Sequence, residues 1–179
     1  LVVDNRGKAE LVAAVEAAFR PADATTEPSA GPYAPFPGSH LRPAVKIGDG
    51  CDARCAFCII PTTRGRERSR PLREIVEEVG GLVESGHREV ILTGVQISDW
   101  KDGGARLADL VDRLLGETPI ERLRLTSLAP WDFDRRLFRT LADPRVCRHV
   151  HLSLQSGSAP ALPRMRGPRP AGTDRPPGG

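Results

Sequence analysis

Apolar and polar residues follow two rhythms along this chain, and the rhythms alternate. Leu72, Ile75, Val76, Val79, Leu82 and Val83 recur at the three-and-four spacing of one helix face, and Gly86 follows where a helix would stop. Leu107, Leu110, Val111, Leu114 and Leu115 repeat that spacing, with Gly116 as the predicted stop. Leu137, Phe138 and Leu141 mark a third helix, ended by Asp143-Pro144. Between these lie short strand-like runs: Ala44 to Ile47, Glu89 to Thr93, Arg122 to Thr126 and His149 to Leu154. Strand and helix alternating at roughly 30-residue intervals predict βα units on a parallel sheet, so the fold class is α/β with about four such units. The last two runs alternate polar with apolar residues, which suits barrel strands whose inner ends line a polar site.

Outside this region the rhythm fades. Leu11, Val12, Val15 and Phe19 share a face of a short predicted helix over residues 8–20. Residues 21–43 hold six of the chain's 17 prolines and read as a linker. Residues 159–179 hold six prolines and four glycines in 21 positions, without periodicity, and are expected to be disordered. Pro160 and Pro163 argue against a long fourth helix. The expected organisation is therefore a short helical segment at 1–20, a linker at 21–43, the main domain at 44–158 and a tail at 159–179.

Composition narrows the class further. The chain has 179 residues, 39% hydrophobic and 27% charged, enough for one domain with a core. No run approaches the ~18 apolar residues that a membrane span needs. No secretory leader pattern opens the chain, and the first residue is Leu1, which predicts a sequence beginning inside a longer protein. The net charge of +3 says little by itself. The four cysteines fall three-plus-one, unlike a disulfide framework, and a reducing cytoplasm is the expected compartment.

Three of those cysteines, Cys51, Cys55 and Cys58, stand in C-x3-C-x2-C spacing just after the first predicted strand. Thiolates so close together are soft metal ligands, and three of them leave one coordination position open. Gly48 and Gly50 allow a tight turn around a bulky group. A structural zinc site is the alternative, with His40 or Cys147 as fourth ligand. Arg64, Arg66, Arg68 and Arg70 crowd the following segment. They suit nucleic-acid phosphates, or equally a solvated loop paired with Glu67 and Glu74. Trp100 and Trp131 are expected to be buried rather than to stack a base.

The cysteine triplet, with Phe57 before its last member, resembles the signature of the radical S-adenosylmethionine enzymes. The surrounding text is similar to the methylthiotransferases among them: Gly50-Cys51 through Cys58-Ile59-Ile60-Pro61, Arg64-Gly65, Ser69-Arg70-Pro71, Leu92-Thr93-Gly94-Val95, Leu125-Thr126-Ser127-Leu128, and His151 through Ser158. These forms most resemble the branch acting on N6-threonylcarbamoyladenosine in tRNA.

The resemblance implies a partial radical-SAM barrel with a 4Fe-4S cluster held by Cys51, Cys55 and Cys58. Its open iron would chelate S-adenosylmethionine, which is cleaved to a 5′-deoxyadenosyl radical, and a methylthio group would then be installed on an adenine carbon. The resemblance places Phe57, Gly94, Gln96, Ser127, Ser153 and Gln155 near the cofactor. It places Arg64, Arg66, Arg68 and Arg70 on tRNA, and it singles out no catalytic acid or base. It implies an electron-donor protein as partner, but no membrane and no stable protein partner. Isopentenyladenosine in tRNA and an aspartate of a ribosomal protein are the alternative substrates, and a zinc-stabilised nucleic-acid-binding module is the alternative class. Three features depart from the family. Its second cluster has no ligands here, because no cysteine precedes Cys51. Ala129 stands where an acidic residue is usual. The text after Met165 resembles nothing in the family, so the tail at 159–179 is expected to be disordered or frameshifted, while residues 1–20 resemble only the end of the family's N-terminal domain, a remnant of it. The expectation is a fragment truncated at both ends that does not transfer methylthio groups alone.

Overall fold

Why the sheet forms where it does is visible in its register. In the computed structural model, β1 (Ala44–Lys46) pairs in parallel with β4 (Glu89–Thr93), and β4 pairs in parallel with β7 (Arg122–Leu125). Val45, Leu92 and Leu125 lie side by side across the three strands, and all are fully buried. Val90 and Leu123 form a second buried row. The residues between them stay partly exposed, as a two-residue repeat requires. The structure describes residues 42–166 except 134 and 154, together with residues 10, 13 and 17. The chain divides into two units, Leu1–Ala34 and Pro35–Gly179, and every element named here belongs to the second. Ala13 and Ala17 are helical and Glu10 is in a 3-10 turn; the rest of the predicted 8–20 helix, the linker before residue 42 and the tail beyond residue 166 lie outside the described residues.

Two amphipathic helices cover the buried rows. One spans Leu72–Glu84 and buries Ile75, Val79 and Leu82. The other spans Leu107–Glu117 and buries Leu107, Ala108, Leu110, Val111, Leu114 and Leu115. It runs through Gly116 and ends at Thr118, whose N–H and hydroxyl both bond the Leu114 carbonyl. The predicted stop at Gly116 is thus displaced: a single glycine weakens a helix interior without breaking it. The third predicted helix is Arg135–Thr140. Trp100 is in the core, as expected, with its indole N–H on the Arg70 carbonyl at 3.0 Å; Trp131 is half-buried.

Among the described residues the fourth predicted strand does not form as a strand. Residues 146–153 make two isolated parallel bridges there, Val146 with Leu123 of β7 and Leu152 with Leu128 in the loop that follows β7. The offset between partners changes from 23 to 24 residues between the two bridges, so one extra residue is accommodated, as in a bulge. The kink shows at His149, whose N–H contacts the Cys147 carbonyl at 2.6 Å. Val150 and Leu152 are 42% and 46% exposed, so little packing holds this segment. The following helix, Leu162–Met165, is only four residues long, in keeping with its prolines.

Periodicity is silent about the short pieces. Gly48–Asp49 (β2) pairs antiparallel with Arg68–Ser69 (β3), closing the cysteine-bearing segment into a long hairpin. Ile60–Thr63 forms one helical turn within it. Lys101–Asp102 (β5) and Ala105–Arg106 (β6) form a second hairpin, whose turn residues Gly103 and Gly104 both have positive φ.

Candidate functional site

Because the three strands are parallel, their C-terminal ends share one edge of the sheet, and the loops that leave them lie together. The first carries the cysteines. The second, residues 94–100, touches the first at Gly94: a Cβ there would sit 3.1 Å from the Gly48 carbonyl oxygen. The third, residues 126–132, is tied to the second by Ile97 N–H to Ser127 O at 3.2 Å and Ala129 N–H to Ser98 Oγ at 3.1 Å. Backbone bonds from Leu128 to His151 and from Ser153 to Leu128 add the segment after the kink. The helix at Leu162–Met165 is joined to the cysteine loop by Ala56 N–H to Met165 O at 2.8 Å.

Cys51, Cys55 and Cys58 line one open pocket of about 600 Å³. Cys51 is buried, the other two are half-buried, and none forms a disulfide. Burial pushes the Cys51 and Cys55 thiols up, and neighbouring cysteines add to the effect. The Ala53 N–H opposes it by donating to Cys51 Sγ at 3.4 Å. Cys51 and Cys55 are thus held toward the neutral thiol, a state that positive charge in the pocket would reverse. Among the described residues no three His, Cys, Asp or Glu side chains are placed to hold a single metal ion. Three cysteine sulfurs lining one pocket are the donor set that iron–sulfur clusters take. The residues present therefore fit such a group.

The remaining predicted cofactor residues do not line that pocket. Phe57 is 60% exposed on its loop. Gly94 and Gln96 border a separate cavity of about 10 Å³ behind Gly48 and Gly50, room for one water at most. The Gln96 amide is engaged between two carboxylates: its Nε2 donates to Asp132 Oδ2 at 3.2 Å, and it also bonds Asp99. Ser127 and Gln155 have φ of 51° and 66°, the left-handed region that non-glycine residues seldom occupy. Such backbone collects at functional loops. Ser153 is half-buried at the bridge to Leu128.

The four arginines separate into two kinds. Arg70 points inward, its Nη1 donating to the Lys46 carbonyl at 2.8 Å and to Glu78 at 2.6 Å. Arg64 lies 3.4 Å from the buried Asp49, which also holds Lys46. Arg66 is 90% exposed, donates to Asp52, and lines the cysteine pocket. Arg68 is exposed and donates to the Arg64 carbonyl. Arg66 and Arg68 thus remain presented to solvent. Four residues of this edge carry no signal in the sequence. Asp52 and Arg54 line the pocket. Asp99 and Asp132 form the acidic pair around Gln96, and burial, with Asp132 beside it, pushes the Asp99 carboxyl up to about 6. The acidic pair has no diagnostic spacing; Asp52 sits inside the cysteine motif but reads as a solvated loop residue.

A thiolate triplet on the C-terminal edge of a parallel α/β sheet defines a class of cluster-dependent α/β enzymes. Within it, the chain belongs to the radical SAM superfamily, whose family model matches residues 45–174. It is 42% identical over 125 residues to the threonylcarbamoyladenosine tRNA methylthiotransferase MtaB of Chlamydia pneumoniae, covering 69% of this chain and 30% of that one. It is 44% identical over 124 residues to the tRNA-2-methylthio-N(6)-dimethylallyladenosine synthase of Chlorobium limicola, covering 68% and 28%. The chain thus spans about 30% of the length of the curated relatives it matches. Among solved structures, the radical S-adenosylmethionine methyltransferase TsrM of Kitasatospora setae shares the fold, with a TM-score of 0.55 at 24% identity over 68% of this chain and 23% of that one.

Proposed function

We propose that this chain is the cluster-binding part of a tRNA-modifying enzyme that adds a methylthio group to C2 of N6-threonylcarbamoyladenosine at position 37. The observation that carries the reading is the convergence of Cys51, Cys55 and Cys58 on one pocket with Arg66 at its wall, in a chain similar to named tRNA methylthiotransferases. Cys51, Cys55 and Cys58 hold the 4Fe-4S cluster. When bound, the cluster supplies the electron that cleaves S-adenosylmethionine to a carbon-centred radical. Phe57, Gly94, Gln96, Ser127, Ser153 and Gln155 shape the cofactor side of the site, Gln96 from its place between Asp99 and Asp132. Arg66 and Arg68 meet RNA phosphates, while Arg64 and Arg70 brace the hairpin that presents them. An electron-donor protein is the required partner. The proposed compartment of the whole enzyme is the cytoplasm, because its proposed substrate is tRNA. No described helix is long and apolar enough to cross a membrane.

Two measurements test this. Anaerobic reconstitution of the 179-residue chain is expected to give about four irons per chain and broad absorbance near ~400 nm, both lost in Cys55→Ser. A colourless protein with one zinc would instead establish the zinc-stabilised module. Deleting the gene is expected to remove the 2-methylthio form of N6-threonylcarbamoyladenosine from tRNA, read by nucleoside mass spectrometry. Loss of the isopentenyladenosine form would assign the sister branch, which the Chlorobium relative exemplifies. Intact tRNA with an unmodified ribosomal-protein aspartate would assign the third. The isolated chain is expected not to thiomethylate tRNA.

A further inference from the structure

The hairpin that begins with β2 and β3 does not end its contacts at the ladder. Beyond the pairs Gly48 with Ser69 and Asp49 with Arg68, the Cys51 N–H donates to the Gly65 carbonyl at 3.2 Å. Gly50, at φ +73, lies so close that a Cβ would stand 2.0 Å from the Arg66 carbonyl oxygen. One side chain then continues the line past the first cysteine. Asp52 Oδ1 accepts from Arg66 Nε at 3.1 Å and from the Glu67 N–H at 3.4 Å. Glu67 is itself anchored, because its buried carboxylate accepts from Ser69 Oγ at 2.5 Å and pairs with Lys101 at 3.1 Å. Among the described contacts, Asp52 is the one residue between Cys51 and Cys55 whose side chain bonds the rest of the chain. Ala53 has no polar group, and Arg54 shows no such bond.

We infer that Asp52 is a positioning residue. Its carboxylate fastens the cysteine loop to the 65–67 turn and so sets where Cys51 and Cys55 stand before a cluster is bound. The same bond orients the Arg66 guanidinium across the pocket. The inference rests on the reading of the three cysteines as cluster ligands, and it assigns the order of that loop to one carboxylate and two donors. The bond bridges 14 residues of sequence, so losing it frees a loop whose remaining tethers are backbone contacts. An exposed ion pair contributes little on its own. The effect therefore falls on the loop and not on global stability.

The test is anaerobic release of iron from the reconstituted 179-residue chain to an iron(II) chelator, followed by absorbance. Asp52→Ala is expected to release iron about tenfold faster than the parent, with an unchanged urea midpoint. Arg66→Ala is expected to fall between the two, because the Glu67 N–H bond survives. Asp52→Asn keeps an oxygen acceptor for both donors and is expected to restore release to within about threefold of the parent. Parent-like release in Asp52→Ala overturns the inference, as does failure of Asp52→Asn to rescue. If Asp52→Ala binds no iron, the Asn and Arg66→Ala variants still decide, by rescue and by intermediate release. A parent chain that binds no iron overturns the cluster reading itself, so the two failures are distinguishable.

Discussion

Gly94 shows how one residue can carry two meanings. Its place after a strand, inside a family motif, reads as a cofactor contact. The structure supplies a packing reason as well, since any side chain there presses on the Gly48 carbonyl and on Ile97. Asp99, in the strand-end loop that follows the cysteine loop, has no motif to announce it. Its half-buried carboxyl shares the Gln96 amide with Asp132, and burial followed by the Asp132 charge raises it to about 6 from an ordinary 3.8. The folded state then holds that proton more tightly than the unfolded chain does. Stability is accordingly greatest below the unfolded value, falls as pH rises through about 4 to 6, and is level above that. Asp99→Asn is expected to remove this fall. The variant should match the parent near pH 4 and exceed it at pH 7, as read by urea midpoints from tryptophan fluorescence. A parent-to-variant difference that does not widen between pH 4 and 7 would contradict the assignment.

At the scale of elements, much of the architecture was legible because its causes are local. The strand at Glu89–Thr93 and the helix starting at Leu72 stand where their periodicities put them, since each buries one regular face in the same core. The two-residue strands β2 and β3 were illegible: they are held by hairpin closure around the cysteine loop and carry no hydrophobic repeat. The fourth strand failed for a different reason. His149 to Leu154 has a strand's alternation, but the bulge and the absent apolar cover leave Val150 and Leu152 exposed. The cysteines were legible as a set from spacing alone, whereas the contacts of Asp52 depend on how a long hairpin closes and those of Asp99 on a loop from another strand. Gly116 marks the limit of punctuation rules. It lies inside Leu107–Glu117, exposed, and a Cβ added to it would meet nothing within 4 Å. Gly116→Ala is therefore expected to stabilise the chain by about 0.5–1 kcal/mol in equilibrium urea unfolding, the helical preference of alanine over glycine. A neutral or destabilising result would mean that the last turn of this helix frays in solution.

At the scale of the molecule, the sheet has an incompletely covered side. The outer edge of β7 is paired at Leu123, whose N–H donates to the Arg145 carbonyl and whose carbonyl accepts from the Cys147 N–H; among the described residues the next bridge, Leu128 with Leu152, lies in the loop beyond β7, so the ladder is broken at Leu125. Beside it stand Val150 and Leu152, both exposed large hydrophobics. An edge that combines free pairing capacity with apolar side chains is a template for another strand. The net charge of +3 on 179 residues supplies little repulsion against it. The isolated chain is expected to self-associate as its concentration rises, through this edge and not through the arginine-bearing hairpin on the cysteine loop. Leu152→Lys places a solvated charge on the edge while disturbing little packing, because the residue is already 46% exposed. Light scattering across a concentration series is expected to show association in the parent and a clear reduction in Leu152→Lys, with the two urea midpoints alike. Equal association in both proteins would move the contact elsewhere. Loss of association in Arg66→Ala and Arg68→Ala instead would place it on the hairpin, the surface that the proposed function reserves for RNA.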